Sequence, residues 1–249
     1  MRNNLHLFKS AAKTALDSID ISNAPVYDLI IATMRPTLKE RVVENINRQT
    51  VKPNVVSIVV QNYTEEEIQY LKDHITNCNK LEIQVEDNPT IFGGERHNMA
   101  VTKCESDIIA NFDDDDIYYP EYMRGMLYWQ LQAGEGMASK GNIVARDESL
   151  GYIGWLLTEL RMKDNVVGAG SCMIFPRSLF DKVCGFATVR QGYDAVFQRA
   201  VMDKGYTVKN ADPFNFIYTR GRPEGNTWNP GRTGIRHNNI TLEEVVLTV

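Results

Sequence analysis

Four consecutive aspartates, Asp113 to Asp116, follow the apolar run Ile108 to Phe112 and precede Ile117, the pair Tyr118–Tyr119 and Pro120. Adjacent carboxylates repel one another, so the group calls for full solvation or for a cation. Two readings follow. One is a solvated acidic turn of the kind that Asp-rich loops commonly form. The other is a site for a hard cation: Mg²⁺ or Mn²⁺ takes oxygen ligands and is held by one or two carboxylates plus a substrate's phosphates. In an extended segment alternate side chains share a face, which turns Asp113 and Asp115 together and Asp114 away. That is the geometry of a D-x-D site. A second acid, Asp194, opens an apolar-periodic segment, where an aspartate is a standard helix N-cap.

The elements that must position these acids read as an α/β chain. A β-run at Tyr27 to Ala32 leads through Thr33-Met34-Arg35-Pro36 into a helix over Leu38 to Gln49, whose apolar positions Leu38, Val42 and Ile46 keep one face. A second β-run, Val55 to Val60, completes a βαβ unit. The pattern repeats with a helix at Glu65 to Thr76, a strand at Leu81 to Val85, a helix near Arg96 to Thr102 and a strand at Ile108 to Phe112. Near-continuous Val/Ile runs suit parallel strands covered on both faces. The aspartates therefore sit at the C-terminal end of a parallel strand, where open α/β sheets bind ligands.

The second half is less regular. It predicts a helix over Glu121 to Gln132, β-pieces at Gly141 to Ala145, Cys172 to Phe175 and Phe214 to Tyr218, and helices at Arg177 to Val183 and Asp194 to Lys204. Arg220 to Asn239, rich in Gly, Arg, Asn and Pro, reads as a long loop able to fold over a ligand. Leu5, Phe8, Ala12, Ala15 and Ile19 recur at helical spacing, which predicts an amphipathic helix packed on the domain.

Composition narrows the function classes. At 249 residues and 43% hydrophobic the chain is long enough for one large domain with a real core. A net charge of -5 argues against a general nucleic-acid coat, leaving only a local basic patch open. No apolar run approaches the roughly 20 residues that span a bilayer, and the N-terminus lacks a signal-peptide core, so a cytoplasmic location is expected. The four cysteines show no CxxC pair and are expected reduced and mostly buried; neither they nor the four histidines supply zinc-ligand spacing.

Five pieces in order carry a resemblance: LIIATMRP (Leu29 to Pro36), IVVQN (Ile58 to Asn62), GGERHNMAV (Gly93 to Val101), NFDDDDIYYP (Asn111 to Pro120) and GFATVRQGYDAVFQRAVMDKGY (Gly185 to Tyr206). Together they resemble a GT-A glycosyltransferase of the family 2 type. The resemblance implies a Rossmann-like GT-A fold, a mostly parallel central sheet with helices on both faces. It divides the chain into an N-terminal helix and linker (1–26), a nucleotide-sugar-binding half (27–120), an acceptor half (121–219) and a C-terminal loop and tail (220–249). It implies a nucleoside-diphosphate sugar as donor, Mn²⁺ or Mg²⁺ as cofactor and inversion at the anomeric carbon, with the acceptor left unspecified.

Residue by residue, the resemblance makes Asp115 the metal carboxylate, with Asp113 facing the ribose or the metal's waters and Asp116 orienting the motif. Asp114 falls on the nucleotide side, or is structural or solvent-facing. Thr33, Arg35, Gln61, Arg96 and Asn98 line the nucleotide sugar, with Gly93-Gly94 allowing a close approach beside Arg96; His97 is incidental. Asp194 is the base. Three departures stand out. Gln61-Asn62 replaces the aspartate that reads the base, Tyr193 replaces the first acid before Asp194, and Arg220 and Arg222 stand near a late metal-ligand histidine, with His237 further on. Those arginines suit diphosphate oxygens or a basic turn, and Trp228 suits stacking on a ring or packing. The alternatives are a non-catalytic binding module of the same fold and a sugar-phosphate nucleotidyltransferase, the latter weakened because ATMRPTLKE lacks a glycine-rich loop.

Overall fold

A computed structural model of the chain describes residues 2–149, 152–155, 163–220 and 241–248. After α1 (Arg2–Ser18), the first half alternates β1 (Tyr27–Thr33), α2 (Lys39–Asn47), β2 (Val55–Val60), α3 (Glu65–His74), β3 (Lys80–Val85), α4 (Gly93–Val101) and β4 (Ile108–Phe112). The second half holds β5 (Ile117–Tyr118), α5 (Tyr122–Ala133), β6 (Met137–Ser139), β7 (Val144–Asp147), β8 (Tyr152–Trp155), β9 (Ile174–Pro176), α6 (Arg177–Lys182), α7 (Tyr193–Asp203), β10 (Val208–Asn210), β11 (Phe216–Arg220) and α8 (Leu242–Val245).

Seven strands form the central sheet in the order β10-β6-β9-β4-β1-β2-β3, and β5-β11-β7-β8 form a smaller second sheet. In the central sheet β1–β2, β2–β3, β1–β4 and β6–β10 are parallel, and only β9 runs against its neighbours β4 and β6. The side-chain period of two puts Leu29 and Ile31 on one face with Ala15, Val42, Ile46, Leu71 and Met126 of α1, α2, α3 and α5. Ile30 faces the other way, with Val101, Leu179 and Phe197 of α4, α6 and α7. Both faces are therefore helix-covered, which explains the unbroken Val/Ile strands.

Register places the acids. Ile31 of β1 pairs with Phe112 of β4, so the residues leaving β1, Thr33 to Arg35, run beside those leaving β4, Asp113 to Asp115.

Several expectations change in the second half. The strand expected over Gly141 to Ala145 begins later, as β7, and an unexpected strand, β6, precedes it; β6 belongs to the central sheet and β7 to the second, and the chain crosses between them at Lys140 to Ile143. The crossing is pinned by buried Lys140, whose Nζ donates to the carbonyls of Asp212 (2.5 Å) and Phe214 (3.1 Å). Cys172 ends a 3-10 turn instead of starting a strand. The N-terminal helix packs on the domain as expected: Phe8 and Ala12 lie against Phe214, and Ala15 enters the main core. Cys104 and Cys172 are buried, whereas Cys78 is half-buried and Cys184 exposed, so burial holds for two of the four; all are free thiols. No helix of the described residues is long and apolar enough to cross a membrane. The loop expected at Arg220 to Asn239 lies outside the described residues, apart from Arg220.

Candidate functional site

The acidic turn is buried. Asp114, Asp115 and Asp116 are 2%, 5% and 0% exposed and Asp113 is half-buried, which overturns the solvated reading. The segment bends after Phe112, so strict alternation does not apply. Asp114 does not face solvent but turns inward: Thr33 Oγ1 donates to its Oδ2 at 2.5 Å and Arg35 Nε at 3.1 Å, with Arg35 Nη2 closing a fork on Oδ1. Arg35 Nη1 also reaches Asp115 Oδ2 at 2.9 Å.

Side chains from elsewhere brace the turn's backbone. Arg41 donates to the Asp115 carbonyl and Asn45 to the Asp116 carbonyl, both at 2.9 Å. The Tyr118 hydroxyl accepts from the Asp113 amide (2.8 Å) and donates to the Ser171 carbonyl (2.9 Å), while its ring stacks on Phe112 at 3.7 Å. With the backbone held, the carboxylates converge. Asp113, Asp115 and Asp116 each bring an oxygen within 4.8 Å of the others. The expected pair is thus a trio. Asp116 orients the turn by accepting from the Thr219 amide at 2.8 Å through Oδ1, and its Oδ2 is buried without a hydrogen-bond partner among the described residues.

Such crowding raises proton affinity. Burial, then the charges of Asp115 and Asp114, push the Asp113 carboxyl up to about 7. Burial, then Asp115 and Asp113, hold Asp116 well above the usual carboxylate range. An oxygen-only donor set, mutual repulsion and an orphaned buried carboxylate oxygen fit a hard divalent cation such as Mn²⁺ or Mg²⁺. Arg220, at the end of β11, borders the cluster: it lies 3.1 Å over the Tyr218 ring, and burial lowers its pKa against the pull of Asp116, Asp115 and Asp113. Arg222, Trp228 and His237 lie outside the described residues.

Gln61 and Arg96 are brought together, Arg96 Nη2 donating to Gln61 Oε1 at 2.5 Å. Asn98 is otherwise engaged: its amide both donates to and accepts from the Phe186 backbone at 2.9 Å, clasping the 185–187 loop to α4. The glycines beside Arg96 also serve a different approach. A Cβ on Gly94 would stand 2.5 Å from the Ala187 carbonyl, and one on Gly93 would stand 2.9 Å from the Tyr193 ring. What comes close is the Ala187 backbone and the first residue of α7, Tyr193.

Asp194 lies in the first turn of α7; the N-cap is Gly192, so the capping role falls away while the favourable helix dipole remains. Its side chain packs on Gly170, where an added Cβ would sit 2.7 Å from the Asp194 Cβ and Cγ. Residues 168–171 form a strap whose carbonyls are all held by side chains. Gln198 donates to Gly168 (3.0 Å), Ser139 to Ala169 (3.1 Å), Asn111 to Gly170 (2.9 Å) and Tyr118 to Ser171. Tyr118 therefore ties the acidic turn to the wall behind Asp194. His97 is not incidental: buried, with its pKa lowered by that burial, it places Nδ1 2.8 Å from the Gly93 carbonyl and Nε2 2.9 Å from Asn111 Oδ1. Sequence reasoning missed Arg41, Asn45, Asn111, Tyr118, Gly170 and Gln198. Asn111 and Tyr118 flank the aspartates, and that adjacency was the one available signal.

No protein-family model and no curated protein sequence matches the chain. Solved structures do. TarS from S. aureus, in complex with UDP-GlcNAc, superposes with a TM-score of 0.59 at 13% identity over 78% of this chain and 58% of that one. The mannosyltransferase PcManGT from Pyrobaculum calidifontis, in complex with GDP-Man and Mn²⁺, gives 0.61 at 16% identity over 89% of this chain and 66% of that one. The chain thus spans less than two thirds of either neighbour. The order of its strands, the helices on both sheet faces and these superpositions together establish that the protein is built on the GT-A glycosyltransferase fold.

Proposed function

We propose that the protein is an inverting, divalent-cation-dependent glycosyltransferase of the family 2 type, moving a sugar from a nucleoside-diphosphate donor to an acceptor hydroxyl. The observation that carries this reading is the buried, braced convergence of Asp113, Asp115 and Asp116 at the C-terminal edge of β4, with Asp194 across the 168–171 strap. Both neighbours were solved with nucleotide sugars, and one with Mn²⁺. Asp115, Asp113 and Asp116 would hold the ion. When bound, the ion supplies Lewis acidity toward the departing diphosphate.

The chain's own residues do the rest. Thr33, Arg35, Gln61 and Arg96 line the nucleotide side, and Arg220 offers a guanidinium to diphosphate oxygens. Asp194 accepts the acceptor's hydroxyl proton as that oxygen bonds to the anomeric carbon. The bond from that carbon to the diphosphate oxygen breaks, its electron pair leaves with the diphosphate, and the proton ends on Asp194.

The test is incubation of purified protein with Mn²⁺ and a panel of nucleotide sugars. Diphosphate release that EDTA abolishes is the expected result; no release and no binding would overturn the proposal. Tyr193, in place of the first acid, is the observation that favours the non-catalytic module instead, and binding without release is that reading's signature.

Gly170→Ala provides a sharper check. The added methyl must displace the Asp194 side chain, and a misplacement near 1 Å costs up to about 100-fold. Transfer should fall roughly 10- to 100-fold while the Mn²⁺ affinity measured by calorimetry stays unchanged.

A further inference from the structure

Tyr193 stands at the first residue of α7 in surroundings that no sequence pattern announced. Its ring fills the space left by the absent side chains of Gly93 and Gly94, 5.2 Å from the His97 ring and edge-on to Phe186 at 5.7 Å. This packing fixes the ring, and with it the direction of the hydroxyl. That hydroxyl makes no hydrogen bond among the described residues, although the residue is only half-buried. The charges that act on it are those of Asp113, Asp194 and Asp114, with Arg96 opposing. Burial, then these carboxylates, raise its pKa well above the ordinary value, so it keeps its proton.

A protonated phenol beside these carboxylates adds an uncharged, unengaged donor to a field of acceptors. A sugar hydroxyl that donates to a carboxylate needs a donor for its own oxygen, and carboxylates cannot provide one. Resting on the transferase reading above, we propose that the Tyr193 hydroxyl contacts the sugar of the bound donor, donating a hydrogen bond to a ring hydroxyl that a neighbouring carboxylate accepts from. An acid at this position would offer a second acceptor. The tyrosine instead makes the subsite selective for a sugar oxygen presented at that point.

The experiment is titration of wild-type and Tyr193→Phe protein, with Mn²⁺ present, by UDP-GlcNAc and GDP-mannose and by UDP and GDP alone. The variant should bind at least one nucleotide sugar about five- to tenfold more weakly, and the bare nucleotides within about twofold of wild type. Equal weakening of sugar nucleotide and bare nucleotide would move the contact to the diphosphate and overturn the assignment, as would no weakening at all. Should the variant lose thermal stability, wild-type protein is titrated with monodeoxy forms of the donor it binds. One of them should lose the same factor, and a uniform response across the set overturns the contact. Wild-type protein that binds no nucleotide sugar overturns the transferase reading and this assignment together, whereas a tight-binding wild type with an indifferent variant overturns the contact alone.

Discussion

Asp194→Asn should reduce sugar transfer by about 10³- to 10⁴-fold while leaving the affinity for the nucleotide sugar within a few-fold of wild type. A positioned base supplies roughly 10²- to 10⁴-fold, and an amide cannot take the acceptor's proton. The substitution is nearly isosteric, so the packing on Gly170 survives. Its place in the first turn of α7 means that the helix gives up only a modest dipole interaction, about 0.3–1 kcal/mol. Steady-state rates with a saturating donor, alongside calorimetric donor affinity, check both halves. A variant that retains transfer would remove Asp194 from the chemistry; one that also loses donor binding would make it a structural residue.

The second large effect is an exchange of stability for metal binding at Asp113. With its carboxyl raised to about 7, the folded protein binds that proton more tightly than the unfolded chain, whose aspartates titrate near 3.9. The sign follows from linkage. As pH rises from about 4 to 7 the unfolded chain ionises first, so folding becomes less favourable, and the full penalty, on the order of 4 kcal/mol, is present above pH 7. Arg35 offsets only part of it.

Asp113→Asn removes that ionisation. In EDTA at pH 8 the variant should melt well above wild type, by about 10 °C, and at pH 4 the two should coincide. Added Mn²⁺ should reverse the ranking at pH 8, raising the wild-type melting temperature and leaving the variant unmoved. For wild type the Mn²⁺-induced rise should shrink below about pH 7, because the ion must displace the proton. Equal melting temperatures in EDTA at pH 8, or an undiminished response to Mn²⁺ in the variant, would show that the acids are not a strained cation site. Functional sites commonly carry such a stability cost.

How much was legible beforehand differs between the two halves of the chain. β2 and β4 occupy the spans that their apolar runs predict, Val55–Val60 and Ile108–Phe112, because strands buried on both faces advertise themselves locally. The second half has strands of three to five residues among its longer elements, too short for a period to register. β6, at Met137–Ser139, was not expected at all, and the crossing from it to β7 depends on Lys140 meeting carbonyls more than seventy positions away.

The site divides in the same way. Alternation drew Asp113 and Asp115 together, but it assumed an extended backbone. The bend after β4 adds Asp116 to the cluster and turns Asp114 onto Thr33 and Arg35. Glycines 93 and 94 were conspicuous in sequence, yet their partner proved to be Tyr193, a hundred residues on.

The sequence by itself determined the alternation of strand and helix, the place of the acids at a strand's C-terminal end and the identity of the groups able to hold a cation or take a proton. Tertiary structure alone decided that the acidic turn is buried, which three carboxylates converge, and that Asp194 rests on Gly170 behind a strap tied to the same turn by Tyr118. The physical reason is range. Hydrophobic period and turn chemistry act over a few residues, whereas burial and convergence are set by contacts between segments far apart in the chain, which become neighbours only when the sheet assembles.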